Sequence, residues 1–578
     1  MKETITGAEM VVRILRDHGV TNVFGYPGGS VLPIYDALYK QSEVRHILTR
    51  HEQGAVHAAE GYARSTGKVG AILVTSGPGA TNTITGLADA YLDSIPLVCI
   101  TGQVTSNLIG TNAFQECDTF GITRHCTKHN FLVKSIEDLP RILHEAFYVA
   151  SHGRPGPVVV DLPKDIQFAS GVYEKPDIKK YHAYQPETRG NPASITEAVM
   201  LMAQAERPVF YTGGGIINSG PQAAKALQEI IKLTGFPITS TLMGLGAYPG
   251  DDKMFLGMLG MHGTYEANMA MHESDLIIAV GARFDDRVTG HIDSFSPYAK
   301  KIHIDIDPSS LNKIIHVDVP IVGDCGSVLN DMIQMWQQKA LKVNSTALHL
   351  WWECINTWRA RNCLNYTHSA HVIKPQYAIE RLYELTKDRD VYISTEVGQH
   401  QMWTAQFFKF REPNHFMTSG GLGTMGYGLP AAIGTQLAHP NSLVINIAGD
   451  ASIQMNIQEL GTAAQHCAPV KVFILNNNYM GMVRQWQELM HEERYSQSLV
   501  ETQPDFIKLA EAYGGIGIRC DNPGDLDDAI RQMINSDTFV LFDCIVEKTE
   551  NCFPMIPPGN AHNEMLFSIP GNDSKSGK

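Results

Sequence analysis

Asp450, Asn477 and Tyr479 carry oxygens that could hold a divalent cation. A hard cation such as Mg2+ takes oxygen ligands in octahedral geometry and shares them with phosphates. The Asp450 carboxylate, the Asn477 side-chain carbonyl and the Tyr479 backbone carbonyl would supply such ligands. A Gly-Asp pair alone marks an ordinary turn. Here Gly449-Asp450-Ala451-Ser452 closes the apolar run from Val444, and Asn476-Asn477 closes a second run, Val472 to Leu475. Two such runs joined by a helical segment read as strands of an open α/β sheet. Their carboxyl ends share one edge, where ligands bind.

The elements that must position these residues extend through the whole chain. Its 578 residues exceed one domain. At 43% hydrophobic and 18% charged, it has the composition of a globular protein with large cores. A formal net charge of −14 argues against non-specific nucleic-acid binding. No apolar run reaches the roughly 20 residues that span a bilayer. The start, Met1 to Met10, shows neither a signal core nor an Arg-rich leader, so a cytoplasmic location is expected. Ten scattered cysteines without a Cys-x-x-Cys pair predict buried free thiols.

From Thr6 to Leu162, helical and strand signals alternate, which predicts a parallel sheet covered by helices. A stretch rich in Lys, Tyr, Pro and Glu, Gln167 to Pro192, reads as a linker. A second α/β unit runs from Arg207 to about Leu329, and a Trp-rich helical connector occupies roughly 339–373. A third begins at Pro375 and contains Asp450. After Lys548 the tail shows no regular element, and its last dozen residues look disordered. The fold class expected is α/β, with three doubly wound parallel-sheet domains.

Gly449-Asp450-Ala451 followed by Asn476-Asn477 resembles the Gly-Asp-Gly…Asn-Asn motif of the thiamine-diphosphate-dependent enzymes. Ala451 replaces the third glycine, a small change that still admits the diphosphate. Three α/β units match the three-domain decarboxylases and carboligases of that family. The resemblance implies a pyrimidine-binding unit (1–166), a central FAD-associated unit (190–335), a diphosphate- and Mg2+-binding unit (370–550) and a tail (551–578). Arg50-His-Glu-Gln, Ile109 to Glu116, Gly281 to Gly290 and Gly481 to Trp486 are similar to the acetolactate synthase branch of catalytic subunits.

That resemblance implies roles. Glu52, otherwise readable as a solvated charge at a helix start, would bond N1′ of the aminopyrimidine so that the 4′-nitrogen acts as a base. Its presence counts against the glyoxylate carboligase branch. Met425, otherwise a core methionine, would wedge under thiamine diphosphate between glycines. Val397, Gly398, Gln399 and His400 would contact the cofactor, and Gly449, Ala451 and Ser452 its diphosphate. Arg287, otherwise half of a surface ion pair with Asp286, would meet the carboxylate of the second keto acid. Gln115 and Lys164 join the catalytic set; Phe114, Met261, Val397 and Trp486 would line the substrate pocket. Arg154, Gly213, Gly214, His262, Gly263, Thr264, Arg283, Asp305, Asp307 and Asp324 match FAD-contacting segments. Thr105 to Asn107 depart from the family's usual run, which leaves the outer rim of the site open.

The activity implied is decarboxylation of pyruvate and transfer of the two-carbon unit to pyruvate or 2-oxobutyrate. The products would be 2-acetolactate or 2-aceto-2-hydroxybutyrate, en route to valine, leucine and isoleucine. Such enzymes share each cofactor between two subunits, so a homodimer or tetramer is expected, with a small regulatory subunit. A pyruvate oxidase-like flavoenzyme and a silent scaffold are the alternatives.

Overall fold

A computed structural model describes residues 3–177 and 184–569. It contains three six-stranded sheets, each parallel throughout. Across the first, the strands run Arg45–Leu48, Asn22–Tyr26, Gly70–Val74, Leu97–Gln103, Pro157–Pro163, His129–Leu132. Across the third they run Phe416–Met417, Val391–Thr395, Leu443–Gly449, Lys471–Asn476, Val540–Ile545, Ile516–Cys520. Counted within each sheet, both have the order 2-1-3-4-6-5. The central sheet, Phe255–Met258, Ile238–Ser240, Pro208–Thr212, Leu276–Val280, Lys300–Asp305, Val319–Val322, has the order 3-2-1-4-5-6.

Each sheet has an apolar cluster on both faces, as a doubly wound sheet requires. Central strands such as Leu276–Val280 are buried at every position, which is why they read as unbroken apolar runs. In each sheet the chain turns back past its first strand, to strand 3 in the outer sheets and to strand 4 in the central one, and the adjoining carboxyl ends open a crevice there. In the third sheet the crevice lies between the ends of Val391–Thr395 and Leu443–Gly449. In the central sheet it lies between Gly213 and Gly281.

The first and third units are joined by equivalent helices. Glu52–Thr66 follows the second strand of its sheet and Gly428–Ala438 the second strand of the other. A Cβ on Gly61 would stand 2.0 Å from the Ala431 carbonyl oxygen, and one on Gly434 1.8 Å from that of Ala58. Each helix thus presents an Ala-x-x-Gly step to the other in a reciprocal contact.

Several sequence expectations change. The segment after Gln167 is partly ordered: Ser170–Tyr173 pairs antiparallel with Glu3–Thr6, and the Tyr173 hydroxyl donates to Asp17. Its mixed composition concealed an edge strand anchored by one buried aromatic; residues 178–183 of the expected linker lie outside the described residues. All ten cysteines are free, but only Cys99, Cys325, Cys520, Cys544 and Cys552 are buried, while Cys354 and Cys467 are exposed. The Trp-rich connector forms the helix Ser345–Arg359. The tail is irregular yet packed, with Cys552, Met555 and Ile556 buried. Most of the final dozen residues, 570–578, lie outside the described residues. No helix of the described residues is long and apolar enough to cross a membrane.

Candidate functional site

Leu443–Gly449 delivers Asp450 to the crevice of the third sheet. Gly449 is required by proximity: a Cβ there would lie 2.8 Å from His400 Nδ1. Asp450 is fully buried, and burial lifts its carboxyl to about 7. Its Oδ2 accepts from the Gln503 amide, whereas Oδ1 has no partner. The neighbouring strand Lys471–Asn476 ends beside it; Asn476 Nδ2 is committed to Asp543 at 2.8 Å, and Asn477 Oδ1 accepts the Tyr479 N–H at 3.0 Å.

A cavity of about 70 Å3 opens here, lined by Gly449, Ala451, Ser452, Asn477 and Tyr479, with Val397 to His400 and Met425 opposite. Burial brings His400 down to about 3, so its ring is neutral. His400 Nε2 and Gln399 Oε1 are also buried without partners. Native cores seldom leave such atoms orphaned. A polar, metal-bearing ligand such as a diphosphate fits this donor and acceptor set.

Val397, Gly398 and Met425 also line a second cavity of about 930 Å3, which extends to the central sheet. Its walls include Met261, His262, Arg287 and Trp486 at one part, and Arg154, Gly213, Gly214, Arg283, Asp305 and Asp324 at another. Gly281 and Gly215 pack back to back, a Cβ on Gly281 standing 2.6 Å from the Gly215 Cα. The cavity is large enough for a dinucleotide, and its glycine-lined crevice fits one. Arg287 lies 3.8 Å from Asp286, both side chains largely exposed, so that pair is weak.

Other central-unit residues have structural employment. Asp324 accepts from Ser219 Oγ at 2.6 Å and from Ser327 N at 2.9 Å, capping the helix Cys325–Gln338. Asp307 pairs with Arg154 at 3.2 Å and caps the turn at Pro308. Thr264 Oγ1 donates to Leu256 O and accepts from Ala267 N, capping Tyr265–Glu273. Gly263, Thr264 and Asp307 do not line either cavity.

A second cluster gathers on the first sheet. Glu52 is 9% exposed, which removes the solvated-charge reading. Its Oε2 accepts from Asn82 Nδ2 at 2.9 Å, with His51 Nδ1 at 3.5 Å. Burial pushes the carboxyl up, but hydrogen bonds from His51, Asn82 and the backbone prevail and hold it below its usual value. Glu459 of the third unit accepts the Arg50 N–H at 3.0 Å, fixing the approach to this helix. Gln115 lies against the Gly77 turn, where a Cβ would meet its carbonyl at 2.8 Å. Phe114 beside it is 89% exposed, and Lys164 begins the helix after Pro157–Pro163. Glu52, Phe114, Gln115 and Lys164 line neither cavity of their own chain.

Sequence reasoning passed over Glu396 and Gln503. Glu396 is fully buried and accepts from Gly426 N, Leu429 N and Ser452 Oγ, tying three loops of the crevice together. Its place directly after Val391–Thr395, at the strand end, was the available signal.

Comparisons with known proteins agree with this architecture. Residues 5–122 match the thiamine pyrophosphate enzyme N-terminal TPP binding domain, 195–332 the central domain and 396–544 the C-terminal TPP binding domain. The chain is 50% identical over 573 residues to the acetolactate synthase large subunit of Haemophilus influenzae, covering 99% of both chains. It is 50% identical over 571 residues to the isozyme 3 large subunit of Escherichia coli, covering 98% of this chain and 99% of that one. With the E. coli isozyme 2 large subunit it shares 48% over 570 residues, 98% of this chain and 100% of that one. Matched in all three units and along nearly its whole length, the chain belongs to the thiamine pyrophosphate enzymes and, among them, to the acetolactate synthase large subunits.

Proposed function

We propose that the protein is the catalytic subunit of an acetolactate synthase, joining the two-carbon unit of pyruvate to pyruvate or 2-oxobutyrate in branched-chain amino acid synthesis. The observation that carries this is the junction at Val397, Gly398 and Met425. It connects the crevice lined by Asn477 and Tyr479, beside the orphaned Asp450 oxygen, to the cavity holding Arg287 and Trp486.

Thiamine diphosphate, when bound, supplies the carbon that takes up the decarboxylated unit. Asp450 Oδ1, Asn477 Oδ1 and the Tyr479 carbonyl would hold Mg2+ on its diphosphate. Met425 would support its rings, and Glu52 would share a proton with ring N1′. Arg287 would orient the acceptor carboxylate by paired N–H donors, and Trp486 would wall the acceptor's alkyl end. Gln115 and Lys164 would complete the polar rim. FAD would occupy the central-unit crevice beside Gly213 and Arg283. Separation of Glu52 from the cavities of its own chain supports a homodimer or tetramer in which each site draws on two copies. The large-subunit names of the relatives support a small regulatory partner, and their bacterial biosynthetic character a cytoplasmic location. The division at 1–166, 190–335, 370–550 and 551–578 is the domain reading we favour.

The test is direct: purified protein with thiamine diphosphate, Mg2+ and FAD, given pyruvate and 2-oxobutyrate, with both acetohydroxy acids quantified. Formation of both supports the proposal. Pyruvate consumption with flavin reduction and neither product would replace it with the oxidase, which draws no support from the relatives named above.

A further inference from the structure

His57, Glu60 and Asp89 form a fully buried cluster that lines neither cavity. His57 Nδ1 lies 2.7 Å from Glu60 Oε2. Asp89, on the helix Ile84–Asp93, brings a carboxylate oxygen within 4.8 Å of Glu60 and His57. Glu60 Oε1 and Asp89 Oδ2 nonetheless have no donor. Two carboxylates in a dry core repel one another, and here one oxygen of each lacks a partner; one proton held between them removes both difficulties. Burial, reinforced by neighbouring carboxylates, pushes both acids well above the usual range.

The other Asp89 oxygen faces the third unit. Asp89 Oδ1 accepts from Ser419 Oγ, and from Thr424 Oγ1 at 2.9 Å. Ser419 Oγ in turn accepts the N–H groups of Gly423 and Thr424 at 3.0 and 2.8 Å. One helical turn along, Asp93 takes the N–H groups of Gly420 and Gly421 at 2.8 and 2.7 Å. Arg64, one turn beyond Glu60, donates to the Thr418 carbonyl at 2.8 Å. Segment 418–424 is therefore moored to two helices of the first unit, and Met425 comes next.

We propose that Glu60 and Asp89 share one proton and, with Asp93, act as positioning residues that set Met425 against the thiamine ring. This rests on the cofactor assignment above. A doubly ionised pair would force Asp89 away from Glu60, and with it the two hydroxyls that shape the loop. A metal ion is the competing occupant, since ligand atoms of all three side chains lie within 4.8 Å of one another. His57 Nδ1, however, already serves Glu60.

The experiment compares thiamine diphosphate binding, by calorimetry with Mg2+, in wild type, Glu60→Gln, Glu60→Ala and Thr424→Val. An amide at position 60 can donate to Asp89 in place of the shared proton, so Glu60→Gln should bind within about threefold of wild type. Glu60→Ala leaves a buried carboxylate unpaired and should bind about tenfold or more weakly. Thr424→Val, which leaves the carboxyl pair intact, should weaken binding with little change in melting temperature; it decides the matter if Glu60→Ala fails to fold. Glu60→Gln as weak as Glu60→Ala overturns the shared proton, as does one equivalent of metal retained by chelator-treated wild type and lost from Glu60→Gln. Thr424→Val binding like wild type overturns the positioning role. Wild type that binds no thiamine diphosphate brings down the functional reading itself.

Discussion

Gln503 donates its amide to Asp450 Oδ2 and leaves Asp450 Oδ1, equally buried, free. Gln503 is held in turn by the Gln454 amide at 3.0 Å, which also donates to the Asp450 carbonyl at 2.9 Å. One carboxylate oxygen is thus fixed by protein while the other is left without a partner, between the crevice-lining Gly449 and Ala451.

Metal binding should consequently compete with a proton. Burial raises Asp450 from 3.8 to about 7, so the neutral form stabilises the metal-free fold fully below pH 3.8. That contribution is lost as pH rises through about 7. Mg2+ affinity should fall by about tenfold per pH unit below 7, because the ion displaces that proton. Titration of tryptophan fluorescence with Mg2+ and thiamine diphosphate across pH 5.5–8 measures it; an affinity flat over that range contradicts the assignment of Asp450.

Co-expression of Glu52→Gln with Asp450→Asn chains tests the shared site. Either variant alone should lose about a hundredfold or more of activity. In mixed dimers one site receives both changes and the other neither, so about half of their sites should be intact. Assay of tandem-tagged mixed dimers reads this, and activity no higher than in the single variants argues that each chain builds its own site.

Trp486→Leu should relax choice of acceptor. Removing an aromatic wall changes discrimination between substrates that differ by one methylene, an effect of about tenfold. Competition between equal pyruvate and 2-oxobutyrate, with both products quantified, measures the ratio. An unchanged ratio would return Trp486 to a packing role.

Gly449→Ala should destabilise the protein by about 1–3 kcal/mol through overpacking against His400, and should weaken diphosphate binding at the same time. Thermal melting with and without thiamine diphosphate separates the two effects. Ala451→Gly, which restores the family's glycine, should leave both close to wild type.

The strands that carry Asp450 and Asn477 were legible because buried parallel strands appear as continuous apolar runs ended by turn residues. Glu52 was legible in identity but not in environment: its side chain is held by Asn82, and Glu459 holds the Arg50 N–H before its helix, and no local pattern links either to it. Asp324, Asp307 and Thr264 were read through cofactor segments, yet all cap helices or turns. An Asp or Thr between strand and helix serves either purpose equally well, and only its hydrogen bonds distinguish them. Ser170–Tyr173 was missed because a four-residue edge strand in polar sequence carries almost no periodic signal.

The reciprocal contact of Gly61 with Ala431 and Gly434 with Ala58 makes the two helices a ruler. Backbone meets backbone at two points one turn apart, so neither helix can slide or roll there without driving a carbonyl into its counterpart. The span from Glu52, at the start of one, to Met425, just before the other, is consequently a constant of the chain.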